Sequence, residues 1–228
     1  MTKTINPPST SLAKELLLIF ITILPLVYLF IVWNDLPDQV PMHWNFQGEI
    51  DRYGSKASLG WLVLLMNVPI YLLLLFLPKI AAKQESIERM GKKYYRLRLI
   101  LQIFIAALVL AILLASSGAT QIPIESLLAY CFLFFMLSFG NYMGSIRQNH
   151  FMGIRTPWTL ENEAVWKKTH QLGGRLWIGG AIIGFILLFF LPKNWALMSI
   201  IFLMILPLLL ATGYSFVLFK KLKNTPAS

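Results

Sequence analysis

The sequence predicts an all-α membrane protein with six transmembrane helices. Of its 228 residues, 57% are hydrophobic and only 13% are charged, and the mean hydropathy is +0.66. A soluble domain of this length carries more charge on its surface. The apolar residues are also gathered into runs of the length that crosses a bilayer, about 20 residues. Lipid is therefore the predicted solvent for most of the chain.

Six apolar runs are predicted to span the membrane. They cover residues 16–33, 59–77, 97–117, 122–143, 176–191 and 195–219. The first run lacks the small-residue site at which a signal peptide is cleaved, so it is predicted to be a retained helix. No ionisable side chain lies near the middle of any run, which argues against an ion-coupled carrier.

The basic residues predict the orientation of these spans. With the N-terminus inside the cell, all but three of the 20 lysines and arginines lie on the cytoplasmic side; the exceptions are Arg52, Lys56 and Lys193. This asymmetry predicts that both termini are cytoplasmic. The net charge of +10 then indicates attraction to anionic lipid headgroups instead of direct binding of nucleic acid. The single cysteine, Cys131, excludes an intramolecular disulfide.

Three parts of the chain are predicted. Residues 1–80 form a helical hairpin whose extracytoplasmic loop one, residues 34–58, is a cap. Residues 81–121 form a basic cytoplasmic loop and the third span. Residues 122–228 form a core that contains the long cytoplasmic loop four, residues 145–175.

Two features within the spans predict helix packing. Gly140 and Gly144 in the fourth span, like Gly180 and Gly184 in the fifth, stand four residues apart. Small residues at this spacing let helix backbones approach closely, so contact between these two spans is expected. Asn67 lies in the second span, and its amide is expected to face another helix because an unpartnered amide in lipid is costly.

Loop one is predicted to be an ordered cap on the outer membrane face, since its prolines and glycines exclude a long helix. The candidate site residues in this loop are Pro41, His43, Asn45, Gly48, Asp51 and Lys56. His43 with Asp51 or Glu49 is a weak candidate for a metal site, because metal sites usually need more such ligands. The alternative is that these side chains only form hydrogen bonds within the loop. We predict that the protein holds no metal and no cofactor.

Loop four is predicted to contain an interfacial helix. Thr159 is expected to cap this helix, and Glu161 and Glu163 suit its positive end. Gly173 is expected to end it. Arg155 is expected to hold the loop through hydrogen bonds, and Trp158 is expected to anchor it.

The same loop closely resembles the signature of SdpI-family immunity membrane proteins. The matching residues are Asn149, Gly153, Ile154, Arg155, Thr156, Pro157, Trp158, Thr159, Trp166, Thr169 and His170. Loop one resembles a companion N-terminal domain of unknown function, through the six candidate residues given above for that loop.

This resemblance implies a function in the bacterial plasma membrane and no catalysis. The expected partners are the lipid bilayer, a secreted toxic peptide against which the protein protects the cell, and a cytoplasmic transcriptional repressor that it holds at the membrane.

Two other functions stay open from the residues themselves. Pro25, Pro69 and Pro207 lie inside predicted spans and can kink their helices. Together with Asn67 they allow a small transporter or flippase for a peptide or lipid-like substrate. A membrane enzyme would need an acid–base set of side chains. One candidate set is His43 with Asp51, and the other is His150 and His170 with Glu161 and Glu163. The absence of a nucleophile or metal motif argues against the enzyme.

Overall fold

The computed structural model describes residues 11–45, 49–80, 91–150 and 152–224. Within these ranges the chain forms seven helices and one two-stranded sheet. In chain order they are α1 (Leu12–Val32), β1 (Gln39–Trp44), β2 (Ile50–Ser55), α2 (Lys56–Ile80), α3 (Lys92–Ser116), α4 (Ile124–Met143), α5 (Pro157–Glu161), α6 (Glu163–Phe190) and α7 (Lys193–Lys223).

Every helix except α5 is long and apolar enough to cross a membrane, which confirms the six predicted spans. Many of their large apolar side chains point away from the protein; Phe30 and Phe189, for example, are 83% and 85% exposed. Such surfaces are stable against lipid tails. A helix is also the structure that satisfies its own backbone hydrogen bonds where no water is available.

The six long helices pack as two groups of three. Helices α1, α2 and α3 contact one another, and so do α4, α6 and α7. The first group has an apolar core that includes Val63, Val109 and Leu113. The core of the second includes Leu133 and Ile200. Contacts between α3 and α4 join the groups, so these two helices form a seam through the protein.

Contacts at the helix ends define the two sides of the protein. On one side, which we call the hairpin side, the Ser116 hydroxyl at the end of α3 donates to the Pro41 carbonyl in β1, at 2.9 Å. On the other, the loop-four side, the Tyr142 hydroxyl at the end of α4 donates to the Lys93 carbonyl at 2.7 Å. Lys93 also donates to the Ser145 carbonyl. Loops one and four therefore lie at opposite ends of the helices.

The predicted contact between the fourth and fifth spans is confirmed, because α4 packs against α6. The closest approach joins Gly140 to Gly174, which the sequence interpretation had not paired. A Cβ atom on Gly140 would lie 2.9 Å from the Gly174 carbonyl oxygen. Gly180 and Gly184 line the same helix and also face α7, where a Cβ on Gly180 would meet the Leu203 carbonyl at 3.3 Å.

Gly174→Ala is expected to destabilise the fold by about 1–3 kcal/mol, because the added methyl group would overlap the Gly140 carbonyl oxygen. Gly179→Ala is the matched control, since it lies in the same helix and a Cβ there has nothing within 4 Å. Alanine favours a helix over glycine, so this control should keep or slightly raise stability. Unfolding in mixed detergent micelles measures both variants. Equal free energies of unfolding would contradict the close packing.

Loop four differs from the sequence prediction in its helix boundaries. Thr159 is not an N-cap residue; Thr156 is the N-cap of α5, and Asn162 is the N-cap of α6. Gly173 was expected to end the helix, but α6 continues through it into the fifth span as one 28-residue helix. Gly173 stays helical because α4 packs against it, with Met143 3.2 Å from the position of a Cβ atom. The expected interfacial helix is therefore the start of a spanning helix.

Candidate functional site

His170 is the centre of loop four, although it lies in helix α6 and is fully buried. Its Nδ1 lies 2.8 Å from the Trp166 carbonyl oxygen, and its Nε2 accepts the Ile154 backbone N–H at 3.0 Å. A carbonyl only accepts, so Nδ1 carries the proton and the ring is neutral. Trp166 stacks on this ring with centroids 4.1 Å apart. The imidazole thus supports the loop and has no nitrogen left for catalysis.

Gly153 passes directly over this imidazole. Its φ is +101°, in a region that side chains rarely adopt, and a Cβ atom there would overlap His170 Nε2. Only glycine has both the conformational freedom and the small size for this position. The Gly-Ile pair of the motif is therefore explained by one contact, in which Gly153 makes room for the bond from Ile154 to His170.

The polar residues around this centre bond to the loop's own backbone. The Asn149 amide donates to the Arg147 carbonyl at 2.8 Å and accepts the Met152 N–H at 2.9 Å. Thr156 and Thr159 form a reciprocal capping box at the start of α5. The Thr159 hydroxyl also lies 2.8 Å from the Ile154 carbonyl oxygen. These residues fix the shape of the loop.

Both predicted anchors of loop four, Arg155 and Trp158, have hydrogen-bond partners in the structure. The Arg155 guanidinium donates to the His150 carbonyl at 2.5 Å. The Trp158 indole N–H donates to the Ser215 hydroxyl at 2.6 Å, and its ring lies 5.1 Å from that of Phe216. Both partners of Trp158 belong to α7, and Ser215 lies 57 residues further along the chain. The sequence contains no local signal for this pairing.

Loop four therefore presents a rigid surface with charge on its outer side. The exposed charged side chains are Arg147, Arg155, Glu161, Glu163, Lys167, Lys168 and Arg175. His150 and His170 do not form the acid–base set that was considered, since His150 is exposed and His170 is fully buried. Among the described residues, no group of three or more potential metal ligands occurs.

The described residues of loop one, 34–45 and 49–58, form a β-hairpin that the sequence interpretation did not identify. Strand β1 pairs antiparallel with β2. Val40 is fully buried, and Leu36 nearly so, against the core of the first helix group. Strand β1 packs partly on the helix ends, whereas β2 is almost entirely exposed, and the hairpin contacts the ends of α2 and α3.

The candidate residues of loop one stabilise this hairpin. His43 Nδ1 lies 2.6 Å from Asp51 Oδ1 across the strands. The Asn45 amide donates to Glu49 Oε2 at 3.1 Å and accepts the Glu49 N–H at 2.9 Å, which joins the facing ends of the two strands. Lys56 lies 3.7 Å from Asp38. Gly48 lies outside the described residues. The structure thus brings His43 and Asp51 together as a pair, without a third ligand among the described residues.

A buried ion pair on the loop-four side was missed by the sequence interpretation. The Arg98 guanidinium donates two hydrogen bonds to Glu15, at 2.7 and 2.9 Å, and the Tyr71 hydroxyl donates a third at 2.8 Å. Gln102 lies one helical turn from Arg98, Asn67 lies one turn from Tyr71, and both are also buried. The spacing of Arg98 and Gln102 on one apolar helix was the available signal, since both fall on one helix face.

Comparisons with known proteins find similarity in the regions that contain loop one and loop four. Residues 145–218 match the SdpI/YfhL protein family, and residues 20–68 match the DUF1648 domain of unknown function. The chain is 26% identical over 216 residues to the Immunity protein SdpI of Bacillus subtilis (strain 168), covering 93% of this chain and 99% of that protein. No solved structure matches.

Proposed function

We propose that this chain protects its host cell against a secreted, membrane-active toxic peptide, because it is similar to the SdpI/YfhL family over residues 145–218 and to the Immunity protein SdpI of Bacillus subtilis (strain 168). It is a multi-pass protein of the bacterial cytoplasmic membrane, and the family is one of immunity proteins and not of enzymes. The observation that carries the proposal is the similarity to an immunity protein across both the hairpin and loop four.

The arrangement of the described residues supports this function over catalysis. The polar motif residues of loop four bond within the loop, and His170 keeps both ring nitrogens engaged. The hairpin has exposed acidic side chains, among them Asp35, Asp38, Glu49 and Asp51. A cationic peptide would be attracted to such a surface. A protein that binds a membrane-active peptide needs such surfaces and does not need catalytic side chains.

Complementation tests the proposal. The gene is expressed in a Bacillus subtilis strain that lacks its Immunity protein SdpI, and survival in mixed culture with the parent strain is counted. We expect this chain to restore survival that the deletion removes. The His43→Gln variant should still protect the cells, because the proposed function gives the His43 side chain no catalytic role. No rescue despite membrane insertion would refute the proposed immunity, and rescue that depends on peptide export would support transport instead.

We further propose that loop four is cytoplasmic and the hairpin extracytoplasmic, as the charge distribution predicts. In a Cys131→Ser background, Ala57→Cys next to the hairpin should react with a membrane-impermeant maleimide in intact cells. Ala164→Cys in loop four should react only after permeabilisation. Both alanines are exposed and helical, so accessibility of the side chain does not confound the comparison. Labelling of Ala164→Cys in intact cells would reverse the orientation.

We also propose that loop four binds a cytoplasmic partner, a transcriptional repressor, and holds it at the membrane. Lys167 and Lys168 are neighbouring exposed cations on the first turns of α6, outside the hydrogen-bonded frame around His170. Reversing both charges, Lys167→Glu with Lys168→Glu, should release the repressor while protection persists. Simultaneous loss of protection and expression would indicate a folding defect and no separate docking surface.

A further inference from the structure

We propose that a cationic amphipathic peptide binds along the seam between α3 and α4, with its charged end beneath the hairpin. The site consists of an apolar groove and an acidic pocket at its hairpin end. This inference rests on the proposed immunity function, because it identifies where and how the toxic peptide would bind. It is carried by two cavities that follow each other on the same pair of helices.

The groove between α3 and α4 has a volume of about 500 Å3. On α3 it extends from Leu99 to Leu114, a distance of about 22 Å at the rise of an α-helix. Its lining is almost entirely apolar, with Ser138 as an exception at one end. Phe104 stacks on Phe135 with centroids 4.4 Å apart, so the groove has a preformed aromatic floor. An apolar helical segment of about four turns matches this length.

The pocket beneath the hairpin has a similar volume, about 530 Å3, and a different lining. Glu49 and Glu125 contribute carboxylates, Thr120 and Gln121 contribute polar groups, and Trp44 contributes an aromatic ring. Among the described residues that line it, none is basic. Carboxylates beside an indole attract an ammonium or guanidinium group.

The two cavities are adjacent along both helices. On α3, Leu114 lines the groove and the next residue, Ala115, lines the pocket. On α4, Ile124 lines the pocket and Leu127, one turn later, lines the groove. A ligand that fills both must have an apolar body and a cationic end. The two carboxylates repel the phosphate of a phospholipid headgroup, which favours a cationic peptide over a lipid.

Photo-crosslinking of the full chain in lipid nanodiscs tests this site. The probe is a synthetic 15-residue leucine–alanine helix with three lysines at one end and a benzophenone in its middle. Its partner probe carries three glutamates instead. We expect adducts of the lysine probe on α3 and α4 within the groove. We expect about tenfold less adduct with the glutamate probe, a ratio that corresponds to a modest difference in affinity.

Two isoleucines give a matched pair of variants. Ile103 lines the groove and is 50% exposed, whereas Ile183 lies on α6 away from it and is 51% exposed. Ile103→Trp should reduce the crosslinking about tenfold by filling the groove, and Ile183→Trp should leave it unchanged. Glu49→Gln with Glu125→Gln should abolish the preference for the lysine probe while keeping the fold, because glutamine retains an acceptor for the Asn45 amide.

Cys131 offers a second readout, since it is the only cysteine and it lines the groove. The lysine probe should slow its modification by N-ethylmaleimide. Adducts spread evenly over the lipid-facing helices, or equal crosslinking of both probes, would overturn the proposal; the latter would indicate a lipid site. If Ile103→Trp left survival in the complementation test unchanged, the proposed binding site would also be overturned. The proposed immunity function would then still stand. Crosslinking at the seam without rescue would refute immunity and support the site.

Discussion

Gly153→Ala is expected to be among the most damaging single substitutions in this protein. Its Cβ atom would overlap Nε2 of the buried His170 imidazole, and the backbone there has φ of +101°. Backbone strain and overpacking each contribute about 1–3 kcal/mol, so the free energy of unfolding should fall by roughly 2–6 kcal/mol. The bond from Ile154 to His170 would break, and loop four would become accessible to protease.

Gly118→Ala separates backbone strain from the clash. Gly118 also has a positive φ, +67°, but a Cβ atom there has nothing within 4 Å. It should therefore lose only about 1 kcal/mol, the strain of a left-handed alanine. Detergent unfolding and limited proteolysis of loop four measure both variants. Equal losses would show that the contact with His170 contributes nothing beyond conformation.

Arg98→Met should be comparably damaging, with a loss of about 3–5 kcal/mol, because it leaves the Glu15 carboxylate largely buried without its bidentate partner. Arg98 is 4% exposed and Glu15 19%. The Tyr71 hydroxyl would still donate to Glu15, but one neutral donor does not replace a guanidinium. The expected consequence is separation of α1 from α3, measured as a lower free energy of unfolding in detergent micelles.

Two further variants make this prediction specific. Arg96→Met, two residues away on the exposed side of α3, should change stability by less than about 0.5 kcal/mol. The double variant Glu15→Leu with Arg98→Met should regain most of the loss, since replacing both members of a buried pair removes the uncompensated charge. A double variant as unstable as Arg98→Met alone would mean that the arginine acts through packing and not through its charge.

The six spans and the two informative loops were predictable from sequence because they depend on local composition. A run of about 20 apolar residues is itself sufficient to indicate a membrane helix. Glycines four residues apart indicated that α4 and α6 meet. The exact partner, Gly174, was not predictable, because glycine near a polar segment is equally typical of a helix end.

The roles of the loop residues were only partly predictable. Arg155 and Trp158 were expected to anchor loop four, and both have hydrogen-bond partners in the structure, but the partner of Trp158 is Ser215 on another helix. Thr156 and Thr159 are both suitable caps by residue type. Their hydrogen bonds, not their order in the chain, show that Thr156 caps α5. Turn residues in loop one excluded a helix, but strand pairing depends on contacts between residues far apart in sequence.

By itself, the sequence determined that this protein spans a bilayer, how many helices cross it, and which segments connect them. Each of those properties follows from the solvent preference of consecutive residues. Only the tertiary structure decided that Glu15 meets Arg98, 83 residues away, that His170 supports Gly153 and Ile154, and that α3 and α4 leave a groove between them. Such contacts join distant parts of the chain, and their geometry depends on how whole helices pack.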